Sequence, residues 1–167
     1  MRPTSPKRRS RKSWQKRSGR SGRKMLRAVL DTNVIVSSVI SKKGAPFHLV
    51  QAWTDLRFTL ITSTSIIEEV QRVLSEHRVK DVFRLTDERI SQLAETMRQN
   101  AVVVQGDADV RGAIPEDPSD EMFLAAALKG KAGFIVSGDK HLLGLKTFRG
   151  IEIQTARKFL DTLNADK

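Results

Sequence analysis

Cysteine is absent from the 167 residues. That excludes disulfide cross-links, thiolate zinc sites and cysteine nucleophiles, and it fits a reducing, cytoplasmic setting. No apolar run approaches the roughly 18–20 residues of a membrane-spanning helix, and the charged N-terminus lacks the apolar centre of a secretory signal. Acids are missing from residues 1–24, which carry 11 Lys and Arg. The other 19 Lys and Arg and all 19 acids fall in residues 25–167, so the net charge of +11 belongs to the tail and the body is formally neutral. The histidines are few, and His48, His77 and His141 show no metal-ligand spacing. His77 reads as a core or edge residue of an apolar stripe. No Gly-x4-Gly-Lys phosphate loop occurs, and no Ser–His–Asp arrangement is recognisable.

What is present divides in two. Residues 1–24 are Arg, Lys, Ser and Gly with a lone Trp14. Such a segment cannot bury enough apolar surface to fold alone and is read as a disordered tail. It suits a polyanion such as RNA or DNA, held by counterion release. With equal weight, it is dispensable, or translation starts at Met25. Residues 25–167 are the length of one domain with one core.

Within that domain short apolar strands alternate with helical patterns. Strands are expected at 26–30, 58–61, 101–104, 133–136 and 151–153. Helices are expected at 34–40, 47–56, 65–76, 87–100, 119–129 and 155–163, with short helical turns at 79–83 and 140–143. Pro46 suits a first helical turn, and Thr86 suits the cap of the 87–100 helix. The alternation predicts an α/β fold whose parallel sheet is covered on both faces.

Ligands in such sheets bind beyond the carboxyl ends of the strands, where the strand order switches. Asp31 ends the apolar run Ala28-Val29-Leu30, and Asp139 follows Ile135-Val136-Ser137-Gly138. Each is open to two readings, a helix or turn cap or a ligand; if their strands are neighbours, both carboxylates face one crevice. Gly138 reads as a point of close backbone approach. In the 65–76 helix, Ile66, Ile67, Val70, Val73 and Leu74 form an apolar stripe. Glu68 fits a capping box with Ser65. Glu69 borders the stripe and needs a partner, for which a metal or a cation would serve. Asp117 reads as the cap of the next buried helix, with Pro118 in its first position. Asp120 points along the packed side, its bland reading being a favourable place near the positive end of the helix dipole. Glu121 is held in reserve. Converging, Asp31, Glu69, Asp120 and Asp139 would repel unless some took up protons or bound cations. Hard oxygen donors without His or Cys suit Mg²⁺ or Mn²⁺, which points to a metal-dependent phosphodiesterase. A haloacid-type phosphatase would want an acid two residues after Asp31, where Asn33 stands.

Four segments together carry a resemblance. Leu30-Asp31-Thr32-Asn33-Val34, Ile67-Glu68-Glu69-Val70, Asp117-Pro118-Ser119-Asp120 with Phe123-Leu124-Ala125, and Ile135-Val136-Ser137-Gly138-Asp139-Lys140 occur in the right order over residues 26–163. They resemble PIN-domain ribonucleases, and most closely the branch of toxins similar to virulence-associated protein C in toxin–antitoxin systems. The resemblance implies a PIN-like three-layer α/β/α sandwich with a central parallel sheet in the order 3-2-1-4-5, which places strands one and four side by side. It implies Mg²⁺ or Mn²⁺ held by Asp31, Glu69, Asp120 and Asp139, with Asn33 and Ser137 in supporting positions, and hydrolysis of RNA. It also implies a cognate antitoxin, and homodimers are common in the family; the lack of a long apolar run argues against a membrane partner. The family often has Thr at Ser137 and Asp at His141. The alternative is a non-catalytic RNA-binding or adaptor module on the same fold, its affinity supplied by the tail.

Overall fold

The computed structural model describes residues 24–166; apart from Lys24, the tail lies outside the described residues. Among them, six strands form one sheet: β1 (Arg27–Leu30), β2 (Thr59–Ser63), β3 (Val102–Val104), β4 (Phe134–Val136), β5 (Thr147–Phe148) and β6 (Ile151–Gln154). The helices are α1 (Thr32–Ile40), α2 (Ala45–Thr54), α3 (Thr64–Leu74), α4 (His77–Val82), α5 (Asp87–Asn100), α6 (Glu121–Lys129), α7 (Lys140–Leu145) and α8 (Ala156–Ala165). None is long and apolar enough to cross a membrane.

The strand order is β3-β2-β1-β4-β6-β5. Its five parallel strands follow the expected 3-2-1-4-5 arrangement, with β6 in the fifth place. The difference is β5, a two-residue antiparallel strand added at the edge. It is made by a tight hairpin in which Phe148 pairs with Ile151 across Arg149 and Gly150. Both turn residues have positive φ, 47° and 83°, the geometry whose twist matches a two-residue hairpin. A run this short carries too little alternation to be read as a strand beforehand.

The apolar strands are buried because both faces of the sheet are covered. Ala28 and Leu30 of β1 point to one face, with Leu60 of β2, against α1, α2, α3, α5 and α8. Val29, Ile61, Ile135 and Ile153 point to the other, against α6, α7 and the loop residues Val110 and Ile114. Helix α6 meets this second face with Phe123, Leu124, Ala125, Ala126 and Ala127 all buried. Phe159 pins α8 to the first face through an edge contact with Phe58, 5.3 Å between ring centres; truncating such a buried ring to Ala costs about 3–5 kcal/mol.

Gly130 ends α6 where helix and sheet come closest. A Cβ there would lie 2.3 Å from Ile61 Cγ2. The Arg27 guanidinium donates to the Gly130 carbonyl at 2.8 and 3.1 Å, which fixes the end of α6 to the start of β1. Gly138 behaves otherwise than expected: among the described residues beyond its chain neighbours, none has an atom within 4 Å of a Cβ built on it.

Two local expectations in the α3–α4 region are corrected. Helix α3 starts at Thr64, and its cap is Ser63, whose hydroxyl accepts the Ile66 N–H at 3.3 Å. The ladder between β2 and β3 runs to Ser63 and Val104, so the helix begins immediately after it and Ser65 lies inside. Glu68 therefore forms no capping box and is exposed. His77 begins the separate helix α4, its side chain 97% exposed and bonded to Asp81, because α3 stops at Leu74 and its stripe does not continue. Thr86 does cap α5, accepting the Arg89 N–H at 3.2 Å.

Candidate active site

Strands β1 and β4 pair in parallel, Leu30 opposite Val136. The residues that follow them, Asp31 and Ser137, therefore leave the sheet side by side at its carboxyl end. β1 is flanked by β2 on one side and β4 on the other, so this is the point where the strand order switches. The Asp31 N–H donates to the Val136 carbonyl at 3.0 Å, which continues the ladder by one residue and sets where the carboxylate emerges.

The cap reading of Asp31 holds. It is the N-cap of α1, its Oδ1 accepting the Val34 N–H at 2.9 Å, and its Oδ2 accepts from the Ser137 hydroxyl. Burial pushes its carboxyl above the usual range and Asp139 adds to the rise, while the bonds from Ser137 and Val34 oppose it. Asp139 likewise caps α7, its Oδ1 accepting the N–H groups of His141 at 2.8 Å and Leu142 at 3.2 Å. The Ser137 Oγ also accepts the Asp139 N–H at 2.9 Å. One fully buried hydroxyl thus links both acids.

The four candidate acids line a single pocket of about 190 Å³, together with Thr32, Asn33, Asp117 and Ser119. Glu69 enters from α3, 32% exposed, and its partner is a cation of its own helix. Arg72 donates to both of its oxygens, at 2.7 and 3.0 Å, and holds its carboxyl below the usual range. Asp120 is the least reconciled of the acids. Its Oδ2 is shut off from solvent without a hydrogen-bond partner. Burial, then Asp117, Asp139 and Asp31, push its carboxyl up to about 7. Asn33 is exposed at the rim, whereas Ser137 is buried beneath the acids.

Asp117 was expected as a helix cap and is not one. Residues Pro118–Asp120 form a 3₁₀ turn before α6, and the Asp117 side chain makes no capping bond. It accepts instead from the Ser119 hydroxyl and faces the pocket. The available signal was its spacing. At three residues per turn, positions i and i+3 eclipse, so a 3₁₀ turn puts Asp117 and Asp120 on one side. Thr32, whose Oγ1 is buried and unpartnered, also lines the pocket, and nothing in its local sequence signals this. Glu121 is a brace: it accepts the Ile114 N–H at 3.1 Å and holds the loop before α6.

The residues fit a divalent cation. The orphaned buried oxygen of Asp120, whose carboxyl burial and neighbouring acids push upward, and four further acids of the pocket make a donor set of hard oxygens, the type that Mg²⁺ and Mn²⁺ prefer.

Residues 27–141 match the model of a family described as PIN domain. An uncharacterized protein of Methanocaldococcus jannaschii is 24% identical over 121 residues, 72% of this chain and 76% of its own length. Among solved structures, VapBC2 from Rickettsia felis, bound to a DNA fragment from their promoter, superposes with a TM-score of 0.53 at 14% identity, over 78% of this chain and 98% of that one. FitAcB from Neisseria gonorrhoeae gives 0.47 at 16% identity, over 78% and 98%.

Proposed function

The chain belongs to the PIN domain family, whose members are generally nucleases, and from that premise we propose that it is a metal-dependent endoribonuclease. The observation that carries this reading is the convergence of Asp31, Glu69, Asp120 and Asp139 on one pocket at the carboxyl ends of β1 and β4. These four side chains would hold Mg²⁺ or Mn²⁺. When bound, such a cation supplies positive charge for a scissile phosphate and generates a water nucleophile near neutral pH. The chain's own part is to hold the acids in place. Ser137 and the Val34 N–H fix Asp31, and the His141 and Leu142 N–H groups fix Asp139. Asn33 stands at the rim, where substrate enters. No side chain forms a covalent bond to substrate.

The biological setting we propose is that of a toxin checked in the cytoplasm by a cognate antitoxin. What supports it is the resemblance of the four sequence segments to toxins similar to virulence-associated protein C. The test is cleavage of total RNA by the parent and by Asp31→Asn, with Mg²⁺, with Mn²⁺ and with chelator, and with the ends mapped. The expected result is metal-dependent cleavage by the parent alone, leaving 5′-phosphate and 3′-hydroxyl ends. Equal cleavage by Asp31→Asn would remove the assignment. RNA retention without turnover at any metal concentration would leave the adaptor module in its place.

A further inference from the structure

His141 is not accounted for by a pocket of acids. It lies in the first turn of α7, and its backbone N–H is spent on capping to Asp139. Its ring is half-buried, and Nδ1 is closed off from solvent with no hydrogen-bond partner. The Asp139 Oδ1 is 3.9 Å away, too far for a hydrogen bond. An imidazole nitrogen is always a donor or an acceptor, and leaving it buried and unmatched is unfavourable. One ring nitrogen of His141 and one carboxylate oxygen each of Asp117 and Asp139 lie within 4.8 Å of one another. Asp117 is available because the 3₁₀ turn relieves it of capping. Both capping bonds of Asp139 go to its Oδ1. Asp120, with another orphaned atom, lines the same pocket as these two acids.

We propose that Asp117, Asp139 and His141 form a nitrogen-containing cation subsite at the edge of the acidic pocket, selective for a first-row transition dication over Mg²⁺. This deepens the nuclease reading and rests on that pocket holding cations. The selectivity follows from ligand chemistry. Mg²⁺ takes oxygen donors and gives up its waters reluctantly, so a neutral imidazole adds little to its affinity. Imidazole binds first-row transition ions well, with affinity rising from Mn²⁺ through Co²⁺ to Ni²⁺. The four acids common to the proposed site supply charge, and His141 supplies discrimination.

The test uses the full 167-residue chain without a polyhistidine tag. Co²⁺ and Mg²⁺ are titrated calorimetrically into the parent, His141→Asn and Asp117→Asn, and proton NMR of the Co²⁺-loaded proteins follows the exchangeable imidazole N–H shifted by the paramagnetic ion. His141→Asn is expected to weaken Co²⁺ by at least about tenfold, to change Mg²⁺ by less than about threefold, and to erase the shifted N–H. Asp117→Asn should weaken Co²⁺ while keeping that signal. Circular dichroism is the check that each variant is folded. Unchanged Co²⁺ affinity in folded His141→Asn, or a shifted imidazole signal that survives it, overturns the subsite. None of these readings involves RNA. A parent that binds Co²⁺ through His141 but cleaves nothing would refute the nuclease and keep the subsite. A metal-dependent nuclease indifferent to His141 would do the reverse.

Discussion

The Ser137 hydroxyl donates to Asp31 Oδ2 across 106 positions of sequence and accepts the Asp139 N–H on its other side. A single oxygen, wholly buried, sets the orientation of one acid and the backbone that presents the other. Ser137→Ala removes both bonds and leaves the Asp139 N–H to find a new partner. The expected cost is about 1–3 kcal/mol of stability, read from urea unfolding, with metal affinity down about 10- to 100-fold. Affinity equal to the parent's would mean that the hydroxyl does not position Asp31.

Asp31→Asn and Asp139→Asn keep the capping bonds, because an amide oxygen caps a helix as well as a carboxylate does. Both variants should melt within a few degrees of the parent. Their metal-dependent cleavage of RNA should fall at least about a hundredfold, the upper end of what losing a merely supporting partner costs. Full activity in either, from protein purified separately, would remove that acid from the site.

Asp120 makes the metal-free protein sensitive to pH. Its carboxyl sits at about 7 in the folded chain against 3.8 as the ordinary value. Between those values the folded state binds more protons than the unfolded, so stability falls as pH rises. Metal-free protein should melt higher at pH 5.5 than at pH 8. The difference should shrink in Asp120→Asn, which has no proton to lose. Added Mg²⁺ should raise the melting temperature at pH 8 more than at pH 5.5. An identical pH profile for Asp120→Asn would show that other groups carry the effect.

Gly130→Ala tests the closest approach of helix to sheet. The new methyl would meet Ile61 Cγ2 at 2.3 Å and the Ala126 carbonyl oxygen at 3.2 Å, and Ile61 is fully buried. The expected loss is about 1–3 kcal/mol, as for other overpacked cores, measured by chemical denaturation. A neutral result would mean that α6 shifts along β2 without penalty.

Much of this arrangement is written locally. The apolar runs of β1, β2 and β4 each end on a polar residue, and that alone locates the carboxyl end of the sheet. Thr86 before Asp87 caps as its type suggests. What escapes the sequence depends on neighbours distant in the chain. Ser63 rather than Ser65 caps α3: β2 runs two residue pairs past Ile61, to Ser63 opposite Val104, and the helix follows at once. Ser65 and Glu68 satisfy the capping pattern without using it. Glu69 finds its cation in Arg72, three residues on along the same helix. Asp117 looked like a cap because Pro118 follows it; the 3₁₀ turn that frees its carboxylate is decided by how the loop, braced by Glu121, meets α6. The hairpin at Arg149 and Gly150 has a two-residue strand, too short to show a period-2 pattern.

The double duty of Asp31 and Asp139 bears on how such a gene decays. If each acid both starts a helix and serves the pocket, mutation cannot discard it freely. Replacement by Ala would forfeit a cap worth about 1 kcal/mol along with the carboxylate. Replacement by Asn would forfeit the charge alone. A silenced copy that still folds is therefore reached most easily by a change of one functional group, oxygen to nitrogen, at either position. This chain carries Asp at both.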